Sequence, residues 1–197
     1  MVRTIAAITG MPVPEVSAYA RAVNPALPWT TESVARLLIA LVAAPTPATA
    51  RLQARKVGAF RWLRAVGVSR AGTDYDPALF VNFARPLVNL LVDVIDELRR
   101  GESGRPVARL ERLAVTDQDG GGVIAQLEGT ANADGRQMRV VLEYADEGVS
   151  AEDLAATGRG STRAIPGSTF YAVAKALGPL GRRPSDRSAG TSPATVH

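Results

Sequence analysis

The chain has 197 residues, of which 46% are hydrophobic and 21% charged, a composition typical of a globular protein. It contains no cysteine, which excludes disulfides, zinc-thiolate sites and thiol nucleophiles. Its only histidine, His197, is the last residue, and a terminal residue rarely holds catalytic geometry. These absences argue against most enzymes and predict a non-enzymatic, cytoplasmic protein with no cofactor and no catalytic or metal site.

Charge is distributed unevenly along the chain. Residues 1–72 carry nine basic and two acidic side chains, a balance of +7, whereas residues 73–150 have a balance of −6 and the final 47 residues return +3. A basic first third beside an acidic middle indicates a polyanionic partner for the first part only. No membrane contact is expected, because no run reaches the ~18 apolar residues of a membrane span.

The first third of the chain is predicted to be helical. A short helix from about Thr4, a turn at Gly10 and a second helix ending before Asn24 come first, since glycine suits the left-handed end of a helix. Thr30 or Thr31 then caps a helix through about Ala44. After a proline-rich break, a helix is predicted over residues 50–66.

The longest predicted helix runs from Asp76-Pro77 to Arg100. Its apolar residues form two stripes, so it is expected to lie in the centre of the core or in an oligomer interface, and Pro86 should kink it. We therefore predict a homo-oligomer that assembles through residues 77–100.

From Val107 the pattern changes to alternation. Residues 107–116, 123–131 and 136–145 are separated by glycine-rich turns and predict a three-stranded antiparallel meander. Residues 162–165 could add a fourth strand, and a helix from Gly167-Ser168 to Leu177 should follow. The predicted fold class is α+β.

Three regions result from this organisation. Residues 1–72 form a basic helical region, and residues 73–180 hold the long helix, the sheet and the terminal helix for oligomerisation or partner binding. Residues 181–197 are rich in arginine, serine and proline and predict a disordered tail.

The segment from Thr4 to Val23 resembles the helix-turn-helix of bacterial and prophage DNA-binding proteins. Ala6 is the small residue that lets the helices approach, and Gly10 lies in the turn. The apolar positions that lock the two helices are Ile5, Met11, Val16 and Tyr19. The resemblance implies that the second helix faces the major groove with Pro12, Val13, Ser17, Ala18 and Arg21. The alternative is an ordinary helical hairpin.

A second candidate surface lies on the predicted helix over residues 50–66. There Arg51, Arg55, Arg61 and Trp62 fall on one face, opposite the apolar residues, while Lys56 and Arg64 depart from the pattern. Such a face suits contact with DNA phosphates, and its alternative is a simply solvated surface.

Other polar clusters favour structural interpretations. Asp93, Asp96 and Glu97 are expected at a solvated helix end, and Asp117-Gln-Asp-Gly is expected to be a hairpin turn rather than a calcium loop. The stretch from Gly158 to Thr162 lacks the lysine and the spacing of a phosphate-binding loop.

Together these features predict sequence-specific binding of duplex DNA by a bacterial or phage transcriptional regulator. A phage small-terminase-type packaging protein is one alternative. A non-catalytic interaction module whose basic face meets an acidic protein is the other.

Overall fold

A computed structural model of the chain describes residues 1–25, 28–68, 85–101, 109–118, 122–133, 136–150 and 159–180. Within these ranges the protein has six α-helices and a five-stranded antiparallel sheet. The predicted α+β class is therefore confirmed. The border at residues 72 and 73 and the tail over 181–197 lie outside the described residues.

The first helices form where the local signals predict them. Helix α1 spans Val2–Thr9, α2 spans Val13–Val23 and α3 spans Thr31–Ala43. Gly10 ends α1 with a φ of 72°, a left-handed conformation that allows its N–H to reach the Ala6 carbonyl. Thr30 begins α3 with a capping box, in which its side chain accepts from the Ser33 N–H and the Ser33 side chain accepts from the Thr30 N–H.

The predicted helix over residues 50–66 is wrong in its second half. A 3-10 turn at Pro47–Thr49 leads into α4, which spans only Ala50–Gly58, and Arg61–Val68 forms strand β1. The residues after Gly58 pair in register with a strand about 80 positions later, and the backbone hydrogen bonds of that pairing override the helix-forming character of the segment.

The long central helix is shorter than predicted within the described residues. Helix α5 spans Leu87–Arg100, and Pro86 stands before it instead of kinking it, because proline restricts the residue ahead of it and suits a helix start. Residues 77–84 of the prediction lie outside the described ranges. Leu87 and Leu90 are buried, as the expected central position requires. The predicted oligomer contact stays a prediction.

The sheet contains the predicted meander and two additional strands. The meander comprises β2 at Arg109–Gln118, β3 at Val123–Ala133 and β4 at Arg136–Ala145. Strand β5 at Arg159–Pro166 pairs with β2, and β1 pairs with β4, which gives the order β1-β4-β3-β2-β5. The expected three to four strands become five because β1 was predicted as helix.

A tight corner connects the sheet to the last helix, α6, which spans Ser168–Leu177. The Gly167 N–H donates to the Glu111 carbonyl at 2.6 Å, and a Cβ at Gly167 would overlap the Leu110 carbonyl oxygen. Only glycine allows α6 to begin this close to β2.

One face of the sheet packs against the helices. Leu113, Leu127 and Leu142 lie in register across β2, β3 and β4, and all three are buried. Helix α3 contacts α4, α5 and β5, and α1 contacts α2 and α6. The apolar residues of the N-terminal helices, the sheet and α6 belong to one buried cluster, which fixes the orientation of the helices that carry the basic residues.

Candidate nucleic-acid interface

The first two helices pack through the residues that the motif predicts. Ile5, Ala6, Val16 and Tyr19 are buried, and Met11 is half-buried against the same cluster. Small and apolar side chains therefore hold α1 against α2 across the turn at Gly10.

Helix α2 is anchored to the rest of the molecule by Tyr19. Its hydroxyl donates to the carbonyl of Ala44, just after α3, at 2.9 Å. Burial raises the pKa of Tyr19 above its usual range; Glu15 adds to this effect and Arg163 opposes it. Since α2 also contacts the 3-10 turn and α4, its outer face has a fixed direction.

All five residues assigned to the groove-facing side lie off the core. Pro12, Val13 and Arg21 are exposed, and Ser17 and Ala18 are half-buried. Val13 is 43% exposed, unusual for a large apolar side chain. The structure thus leaves this side of α2 open to a partner.

Few groups on this side of α2 can form hydrogen bonds or ion pairs with a partner. The Ser17 hydroxyl donates to the Val13 carbonyl at 2.8 Å, so it can act toward a partner only as an acceptor. Glu15 is exposed in the first turn of α2 and would repel phosphate. Arg21, exposed in the last turn, is the one cation of α2.

A second exposed surface lies on α4. Arg51, Arg55 and Lys56 are exposed, together with Leu52, while Ala50, Ala54 and Val57 on the other side are buried. Arg51 and Arg55 are one helical turn apart, where like charges repel, and no acidic residue occurs in α4. We call Arg51, Leu52, Arg55 and Lys56 the α4 basic face.

The predicted common face of Arg51, Arg55, Arg61 and Trp62 does not exist as one helix face. Arg51 and Arg55 lie on α4, whereas Arg61 and Trp62 begin β1. Arg61 is exposed, and two residues separate it from the end of α4. Trp62 is half-buried against the core, so it packs at the edge of the cluster instead of offering a stacking surface. The prediction set Lys56 aside from this surface, but in the structure Lys56 is exposed like Arg55.

Most cations of the N-terminal helices form no ion pair within the described part of the chain. Arg36 pairs with Glu32 at 2.7 Å, and Arg64 pairs with Glu143. Six other exposed cations form no ion pair with any described residue: Arg3, Arg21, Arg51, Arg55, Lys56 and Arg61. Unpaired, exposed arginine and lysine side chains are the groups that neutralise a polyanion.

The acidic cluster near the end of α5 is occupied by structural contacts. Asp96 accepts from the Thr31 hydroxyl at 2.7 Å and pairs with Arg99 at 3.4 Å, and Asp93 pairs with Arg85 at 2.9 Å. Among the described residues, no three or more acidic, histidine or cysteine side chains come together in a group that could hold a metal ion. Asp119 and Gly158 of the two loop motifs lie outside the described ranges.

Within those ranges, no helix combines the length and the apolar character needed to cross a bilayer. Comparison with protein-family models, with curated proteins and with solved structures finds no match for the chain. A functional proposal for this protein therefore rests on its own residues.

Proposed function

We propose that this protein binds duplex DNA. Helices α1 and α2 act as a helix-turn-helix, and the α4 basic face with Arg61 contacts the phosphate backbone. The observation that carries the proposal is the set of six exposed cations on α1, α2, α4 and the start of β1 that form no ion pair with any residue the structure describes.

Counterion release favours binding of these cations to a DNA duplex. Each phosphate that an arginine or lysine neutralises frees condensed counterions from the duplex, and this supplies most of the nonspecific affinity. Helices α2 and α4 are in contact, so Arg21 and the α4 basic face lie on neighbouring helices. One duplex can therefore contact both.

Sequence preference in this proposal depends on Arg21. Arginine can donate two hydrogen bonds to guanine, and Ser17 can accept one from the amino group of adenine or cytosine. The few base-reading groups suit a bacterial or phage regulator with a short recognition element. A small-terminase-type packaging role would use the same surface.

The test is a salt titration of binding to a fluorescein-labelled duplex followed by anisotropy. Affinity should fall steeply between about 50 and 200 mM salt, with a log-log slope of about −4 or steeper if five or more cations contact phosphate. Polyglutamate serves as the competitor. Displacement of the duplex by polyglutamate at equal charge concentration, or a slope near zero, would contradict the proposal and favour an acidic protein partner.

A further inference from the structure

The most exposed large apolar side chain among the described residues is Leu52, at 66% of its surface. It lies on α4, and its neighbours one turn further along the helix are Arg55 and Lys56, both exposed. Arg51 precedes it. A leucine thus stands among three cations on a helix that contains no acidic residue.

The packing of α4 leaves no buried space for the Leu52 side chain. The opposite side of α4 is filled by Ala50, Ala54 and Val57, each at most 1% exposed. At Gly58 the helix approaches α5 so closely that a Cβ would lie 3.3 Å from the Val88 Cβ. The core therefore holds α4 rigidly and fixes Leu52 pointing outward.

The surroundings of Leu52 select the charge of its partner. Arg51 and Arg55 repel each other one turn apart on α4, and a polyanion relieves that repulsion. Phosphate offers nothing to a leucine, however. The partner must combine a row of negative charges with apolar surface between them.

A DNA minor groove has this combination, because deoxyribose and the faces of the bases lie between two rows of phosphates. We propose that Leu52 is an apolar wedge that enters the minor groove and partly unstacks one base step, while Arg51, Arg55 and Lys56 hold the flanking phosphates. This inference rests on the proposed function and adds a contact that the helix-turn-helix resemblance does not imply. Flexible pyrimidine-purine steps such as TA should be the favoured sites.

The experiment uses a GC-flanked duplex with one central TA step and 2-aminopurine in place of its adenine. Full-length wild-type protein should raise the 2-aminopurine fluorescence on binding, because unstacking relieves quenching. Leu52→Ala should bind about tenfold more weakly, with an unchanged salt slope and no fluorescence rise. Arg55→Ala should reduce the salt slope by about 1 and keep the rise.

Tyr171→Ala is the matched control, since Tyr171 is also an exposed apolar side chain, at 41%, but lies on α6. It should behave as the wild type, and thermal melts should show that all variants are folded. If Leu52→Ala binds the duplex with wild-type affinity and fluorescence, the wedge is refuted while DNA binding stands. If wild type does not bind the duplex, the proposed function fails first.

A lipid surface is the competing partner, and the same variants distinguish it. Vesicles with equal parts of phosphatidylglycerol and phosphatidylcholine are added to wild type and to Leu52→Ala at the same salt. Tight vesicle binding that depends on Leu52, together with Leu52-independent duplex binding, would overturn the wedge. Weak vesicle binding by both proteins supports it.

Discussion

Two arginine-rich surfaces of this molecule differ in what surrounds each arginine. On the face of the sheet that bears the charged residues, Arg64 pairs with Glu143, while Arg112 and Arg139 both pair with Glu128. On α4, Arg51 and Arg55 have no acidic residue in the helix and no ion pair with a described residue. The same residue type thus stabilises the fold in one place and is available to a partner in the other.

Strand register explains the neutralised surface. Arg64 is the direct cross-strand partner of Glu143, and Arg112 that of Glu128. Gln126, opposite Glu143 on β3, donates to the second oxygen of that carboxylate at 2.8 Å. Antiparallel pairing places Arg64 opposite Glu143 and Arg112 opposite Glu128, whereas α4 contains no acidic residue to pair with its cations.

The strongest test removes two arginines from each surface. Arg51→Gln with Arg55→Gln should lower the duplex-binding slope by about 2 and weaken affinity roughly tenfold to a hundredfold at ~150 mM salt. Arg64→Gln with Arg139→Gln makes the same change in charge at two arginines that are also exposed and should leave affinity within about threefold. Equal losses in both double variants would mean that only net charge matters.

The next-largest expected effect distinguishes base contacts by α2 from phosphate contacts by the α4 basic face. Arg21→Ala should cost about tenfold in affinity for a preferred site and relax preference at one base position, because a bidentate pair with guanine is lost. Ser17→Ala should change affinity much less, since its hydroxyl already donates within α2. A selected-site binding assay measures both. If Arg21→Ala keeps the wild-type base preference, Arg21 contacts only phosphate and α2 does not read the sequence through it.

On the sheet, the expected effect is on stability. Glu128→Gln keeps the shape of the side chain but removes the charge that accepts from Arg139 at 2.8 Å. That hydrogen bond raises the pKa of Arg139, followed in size by the charge of Glu128. Because Arg139 is largely solvated and Arg112 is half-buried, the free energy of unfolding should fall by only about 1 kcal/mol, measured in urea. DNA affinity should not decrease.

Local signals predicted the elements whose cause is local. Gly10, the cap at Thr30 and the alternation in the meander each act within a few residues, and the structure has all three. Strand β1 was missed because its segment contains helix-forming residues and becomes a strand only by pairing with β4. Arg64 shows the consequence: its partner Glu143 is 79 positions away, and no helical pattern could reveal it.

The sequence predicted only part of the α4 basic face, because it indicated a longer helix than the one that forms. The helix expected over residues 50–66 centred the surface on Arg51, Arg55 and Arg61 and left out Lys56 and Leu52. In the structure α4 buries Ala50, Ala54 and Val57, and this packing leaves both residues on the exposed side. The two-residue spacing of Phe60 and Trp62, which suits a strand, was the available signal.

The smallest expected effect concerns alkaline pH and distinguishes the core from both arginine surfaces. Arginine as a residue type keeps its charge well above pH 11. Tyr144 of β4 is fully buried in the core, and burial raises its pKa above the ordinary value of about 10. A phenol whose pKa is higher in the folded state contributes stability that is complete below pH ~10 and is lost as pH rises above it. At pH ~10.5 the loss should be less than about 1 kcal/mol, and Tyr144→Phe should remove this part of the pH dependence in urea unfolding measured between pH ~8 and ~11. Tyr171, exposed on α6, provides the control: Tyr171→Phe should keep the wild-type pH dependence, and a slope that persists in Tyr144→Phe would place the titrating group elsewhere.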